Sequence, residues 1–105
     1  MSRREKLESM LQKEPNDPFL HFALGMEWAK EGRTDQAVSC FDQSVSVDPL
    51  YLTAYMQKGQ VLAGSGRGVE ARNAFEAGIA AAIRAGDDHA REEMQAMIDG
   101  LSQPI

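Results

Sequence analysis

The chain has 105 residues, 43% of them hydrophobic and 26% charged, with eleven basic against sixteen acidic residues and a net charge of −5. That length supports one domain spanning 1–105, and the charge balance excludes an electrostatic nucleic-acid footprint, since no basic cluster runs beyond Arg3-Arg4. The single cysteine, Cys40, excludes an internal disulfide, and no apolar run approaches the roughly 20 residues that span a bilayer.

The N-terminal "MSRREKLESM" leads into no apolar core and no small-residue cleavage site, so it does not read as a secretion signal, and the expected location is the cytoplasm. Leu7, Met10 and Leu11 fall at i, i+3 and i+4, one face of a helix within 1–16. Asp17 before Pro18 is an N-cap followed by proline at the first helical position. The helix that follows, "FLHFALGMEWAKE", stops at Gly32, which suits the left-handed backbone past a helix end. Thr34 or Asp35 is placed to cap a third helix, "QAVSCFDQSVSV", which closes ahead of Asp48-Pro49 because the residue before a proline resists helical geometry. "YLTAYMQKGQVLAGS" is a fourth helix and "VEARNAFEAGIAAAIRA" a fifth, ended by Gly86. Asp87 or Asp88 caps a sixth, in which Ala90, Met94, Met97, Ile98 and Leu101 form one apolar stripe. Six helices and no strand make the fold all-α.

Three glycines, Gly64, Gly66 and Gly68, precede the fifth helix in "AGSGRGVEARNAF", a place where backbone amides often cradle phosphate. Set against "AKEGRTDQAVSCF", however, Ala29, Gly32, Arg33, Ala37 and Phe41 meet Ala63, Gly66, Arg67, Ala71 and Phe75, every one at an offset of 34 residues. Gly25 likewise meets Gly59, and the ring of His21 meets that of Tyr55. Gly66 is thus the periodic copy of a turn with no glycine-rich surroundings, loosened here by Gly64 and Gly68. No Lys-Ser or Lys-Thr follows it and no strand precedes it, so a phosphate loop is excluded.

A 34-residue unit of two helices resembles the tetratricopeptide repeat (TPR), whose pattern runs aromatic, Leu-Gly, aromatic, then Ala, Phe and Pro. His21, Leu24, Gly25, Trp28, Ala37, Phe41 and Pro49 hold those places in order, and Tyr55, Gly59, Ala71 and Phe75 do so in the second unit. Lys58, Leu62 and Ile83 depart from it, and without a proline at 83 the fifth helix is expected to run on. The resemblance implies antiparallel helix-turn-helix repeats stacked as a short right-handed superhelix. Its parts are a half-repeat helix over 1–16, repeats over 18–51 and 52–85, and a capping helix over 87–102. Gly25 and Gly59 would let helices approach closely, at about 1 kcal/mol each in helix propensity.

The resemblance also implies that the first helix of each repeat lines a concave surface that holds a partner's peptide or helix. In this chain the surface is expected to include Phe19, Phe22, Met26, Ala29 and Lys30, then Thr53, Met56, Gln60 and Ala63, with Leu24, Gly25 and Trp28 facing the core. Their spacing sets each group on one helical stripe. Phe19 and Phe22 could instead pack on neighbouring helices. Met94 is a further groove candidate, although it and Met97 fit packing against the second hairpin. Some TPR co-chaperones clamp a carboxylate with lysine, asparagine and arginine, whereas Phe22, Met26, Met56 and Gln60 stand at such places here. The expected partner is therefore an apolar segment or amphipathic helix of another protein. The alternative is a self-associating structural protein, a weak homodimer through the same groove or through a terminal helix. No histidine or cysteine stands at metal-ligand spacing from His21 or His89, Cys40 has no identifiable base, and the acidic pairs point apart. Neither metal, cofactor nor catalysis is expected.

Overall fold

Helix boundaries follow from local chemistry along the chain. The computed structural model describes residues 1–101, and over them run α1 (Arg3–Lys13), α2 (Pro18–Lys30), α3 (Thr34–Val47), α4 (Leu52–Gly64), α5 (Gly68–Ala85) and α6 (Asp88–Leu101), with no strand among the described residues. Ser102, the expected end of the capping helix, lies outside them. Ser2 opens α1 with a capping box: its hydroxyl accepts from the Glu5 N–H at 3.1 Å, and the Glu5 carboxylate accepts from the Ser2 N–H at 3.0 Å. Asp17 caps α2 by accepting from the N–H groups of Phe19 and Leu20 at 2.9 and 3.3 Å, with Pro18 in the first turn. Asp87 caps α6 in the same way, accepting from the Ala90 N–H at 2.9 Å.

The start of α3 differs from the sequence expectation. Its N-cap is Arg33, without a side-chain bond, so neither Thr34 nor Asp35 caps it. Both are engaged with the next repeat instead. The Thr34 hydroxyl pairs with that of Ser65 at 2.7 Å, and the Asp35 carboxylate accepts from Arg67 at 2.7 Å.

Gly32 and Gly66, at φ of 74° and 77°, make the same turn, after which the N–H groups of Arg33 and Arg67 return to the carbonyls of Trp28 and Leu62 at 3.0 and 2.9 Å. Gly64 and Gly68 do not loosen the second copy, because they are the last residue of α4 and the first of α5. With no proline at 83, α5 continues to Ala85 and stops at Gly86, φ 70°.

Packing between helices also repeats with the period. Gly25 lies under Phe41, where a Cβ would come within 2.7 Å of the ring, and Gly59 lies likewise under Phe75. Both phenylalanines are fully buried. The core runs along the stack in three clusters. One is Leu7, Leu20, Ala23 and Leu24; the next is Ala37, Phe41 and Ala54; the third is built around Leu62, Phe75, Met94 and Ile98. Such a core is what repeats produce when each buries its face on the next. Met10, expected on the inward face of α1, is 51% exposed, because α1 has one neighbouring helix and Leu7 and Leu11 fill that narrow contact.

Two layers result. In one, α2 comes close to α4 and α4 to α6; in the other, the backbones of α1, α3 and α5 stand apart among the described residues. The stack is therefore drawn together on the α2/α4/α6 side and splayed on the other, as a slab of 44 × 32 × 16 Å.

Candidate functional site

On the drawn-together side, α2 presents a stripe graded from solvent to core. Phe19 is 53% exposed and does not pack into the interior. Phe22, one turn on, is half-buried: its ring lies 5.8 Å from that of Phe41 and meets Tyr51 nearly edge-on at 5.6 Å and 78°. Met26 and Ala29 lie half-buried over the Ala37, Phe41 and Ala54 cluster, and Lys30 is exposed, its ammonium donating to Glu27 at 3.1 Å.

On α4, Thr53 and Gln60 are exposed, while Met56 and Ala63 are half-buried on the cluster around Leu62 and Phe75. The Gln60 amide donates to the Met97 sulfur at 3.8 Å, which joins α4 to α6 on this side. The surface is thus thioether and aromatic at its centre and polar at its margins.

Met94 does not belong to it. Its side chain is fully buried, with its sulfur seated on Gly78 where no Cβ intervenes. The gap at Gly78 draws Met94 inward, and Met97, three residues on, faces Gln60 instead. Sequence reasoning also passed over Tyr51, the last residue of the first 34-residue unit, whose phenol is pushed up in pKa by burial. The signal was available, since that position precedes α4 directly and so lies beside the stripe of α2.

Other chemistry-bearing residues are elsewhere. Cys40 is half-buried and its thiol is pushed up to about 11, chiefly by burial and then by the charge of Glu8. Among the described residues no group of three or more His, Cys, Asp or Glu side chains could hold a metal ion. A cleft of about 330 Å³ opens on the splayed side between α3 and α5, over Phe41, Ala54, Leu62 and Ala74. At its rim Lys58, which stands where the first repeat has Leu24, donates to Asp42 at 2.7 Å.

No protein-family model matches the chain. It is 31% identical over 99 residues to a TPR repeat-containing protein of Pseudomonas aeruginosa, covering 94% of each. A Bordetella parapertussis protein of known solution structure superposes with a TM-score of 0.81 at 32% identity, over 97% of this chain and 89% of that one. The TPR2B domain of yeast Sti1, seen in complex with pHsp70, superposes with a TM-score of 0.86 at 16% identity, over 95% and 80% of the two chains. No described helix is long and apolar enough to cross a membrane.

Proposed function

The chain belongs to the tetratricopeptide-repeat family, and we propose that it is a non-enzymatic module that docks a peptide or amphipathic helix of another protein along the α2/α4 face. The observation that carries this reading is the α2 stripe. Phe19 stands 53% exposed at its start, with Phe22 and Met26 half-buried behind it, on the side where α2, α4 and α6 lie together. A large aromatic left in solvent beside pliable thioethers is what an adaptable apolar docking surface offers.

The margin selects the occupant. Lys30 is the one cation among the proposed groove residues, and it is committed to Glu27. Phe22, Met26, Met56 and Gln60 supply no fork of charge for a carboxylate, so pHsp70, which the Sti1 domain binds, is not carried over to this chain. The fitting ligand is an apolar segment with anchors at i, i+3 and i+4, or their extended equivalent.

The test is capture from the source cell's lysate by the wild type and by a Phe22→Asp, Met56→Asp variant shown by circular dichroism to be folded. A protein retained by the wild type and lost by the folded variant supports the reading. Equal capture by both contradicts it. Mass in solution separates the homodimer reading, because a face reserved for another protein leaves the chain a monomer at all concentrations, whereas a self-docking face adds mass as concentration rises.

A further inference from the structure

The attachment of α1 is unlike that of any other helix. Among the described residues its backbone lies close to α2 and to no other helix, and Leu7 is its only buried residue. Leu11 packs half-buried beside it, and the rest of its hold is made by charged side chains near the surface. Arg3 Nε is 3.3 Å from the Glu27 carboxylate, Arg4 Nε is 3.3 Å from that of Glu31, and the Arg4 guanidinium sits 4.4 Å above the centre of the Trp28 ring. Each pair reaches solvent on one side, through Arg3 in the first and Glu31 in the second, so each contributes modestly and is screened by salt. An 11-residue helix does not persist alone in water.

The seat beneath α1 does not depend on it. Leu20, Ala23, Leu24 and Trp28 all belong to α2, which α3 and α4 also hold. The cap of α2 is Asp17, beyond α1, and the chain is pinned at Pro15, whose carbonyl accepts from His21 Nε2 at 2.7 Å. Detachment can therefore hinge ahead of Pro15 without unravelling the repeat behind it.

We propose that α1 is a releasable helix, and that its seat on α2 is a second docking site for a partner helix of α1's own chemistry. That chemistry is a leucine preceded, one turn earlier, by two basic residues. The leucine fills the hollow between Leu20 and Leu24, and the basic pair meets Glu27 and Glu31 on either side of Trp28. The seat adjoins the α2/α4 face, since Glu27 also accepts from Lys30 and Trp28 also packs against the Ala37, Phe41 and Ala54 cluster.

Trp28 is the only tryptophan, and it reports directly on the seat. Raising NaCl from about 0.05 to about 0.5 M should shift its emission to the red and speed amide exchange in α1 about tenfold while α4 stays protected. Replacing both arginines (Arg3→Gln with Arg4→Gln) should do the same at low salt without placing a charge in the hollow. A fluorescent peptide of residues 2–14 should then bind full-length Leu7→Asp protein, whose seat is vacant. It should bind the wild type about tenfold more weakly or worse, since the resident helix is tethered beside the seat. A peptide with both arginines replaced by glutamate should not bind. The proposal is overturned if salt and the double arginine variant leave α1 exchange unchanged, or if the peptide binds regardless of its arginines. It is equally overturned if Leu7→Asp exposes α2 through α5 together, because α1 is then a structural cap.

Discussion

His21 and Tyr55 stand one period apart and make the same bond: His21 Nε2–H donates to the carbonyl of Pro15 at 2.7 Å, and the Tyr55 hydroxyl donates to that of Pro49 at 2.7 Å. A carbonyl only accepts, so the proton of His21 is on Nε2. Each ring fastens the start of its repeat to the loop before it. His21→Phe and Tyr55→Phe, which delete the donor and keep a ring, should each cost about 0.5–1.5 kcal/mol in urea unfolding. A cost at Tyr55 with none at His21 would show that the two repeats are not fastened alike.

The glycines divide by what surrounds them. Gly25 and Gly59 face the rings of Phe41 and Phe75 with no room for a Cβ, whereas nothing lies within 4 Å of the Cβ position at Gly64 or Gly68. Gly25→Ala and Gly59→Ala should destabilise by about 1–3 kcal/mol through overpacking, which outweighs the gain in helix propensity. Gly64→Ala and Gly68→Ala should raise stability by about 0.5–1 kcal/mol. Thermal unfolding of the four variants checks both signs at once.

Lys58 occupies a place whose copy in the first repeat, Leu24, is buried against Leu7. Lys58→Leu gives up a half-exposed pair with Asp42, worth about 1 kcal/mol, and covers the apolar floor of the cleft between α3 and α5. Its net effect should be an increase of up to about 1 kcal/mol, read as a higher urea midpoint with an unchanged slope.

With its thiol pushed up to about 11, Cys40 is uncharged at neutral pH and a poor nucleophile. Its alkylation by iodoacetamide at about pH 8 should be at least about tenfold slower than that of a free thiol, and should reach the free rate in denaturing urea. Rapid alkylation of the folded chain would place Cys40 outside the packing described.

Arg67 ties α3 to α5, donating to Asp35 at 2.7 Å and to the two oxygens of Glu70 at 2.9 and 2.8 Å. Those bonds hold the Glu70 carboxyl below its ordinary value of 4.5, so the contribution is present above 4.5 and is lost as pH falls through the lowered folded value. Glu5, lowered first by the Ser2 N–H and then by its hydroxyl, acts in the same direction. Urea midpoints measured across this range should fall with acid in the wild type and less steeply in Arg67→Ala.

Most of the helical order was legible because its causes are local. Asp17-Pro18, Gly32 and Gly66, and the proline after Asp48 each mark an end by backbone chemistry that neighbours do not alter. What escaped depends on partners distant in sequence. Thr34 and Asp35 have the composition of a cap, but Ser65 and Arg67 of the next repeat claim them. Met94 and Met97 share one apolar stripe, and only the hollow at Gly78 decides which is buried. The extension of α5 past Ala81, where the period alone would end it, was by contrast legible, since no proline stands at 83 and Gly86 ends the helix.

The central claim, that a partner docks on the α2/α4 face, is tested most directly by placing a photo-crosslinking residue at Thr53, exposed on α4, and separately at Val69, 77% exposed on α5. Illuminated in the source cell's lysate, the Thr53 probe should capture a discrete adduct, which a Phe22→Asp change abolishes, and the Val69 probe should capture none. An adduct at Val69 and not at Thr53, or one indifferent to Phe22→Asp, would contradict the claim and move the binding surface to the splayed side of the slab.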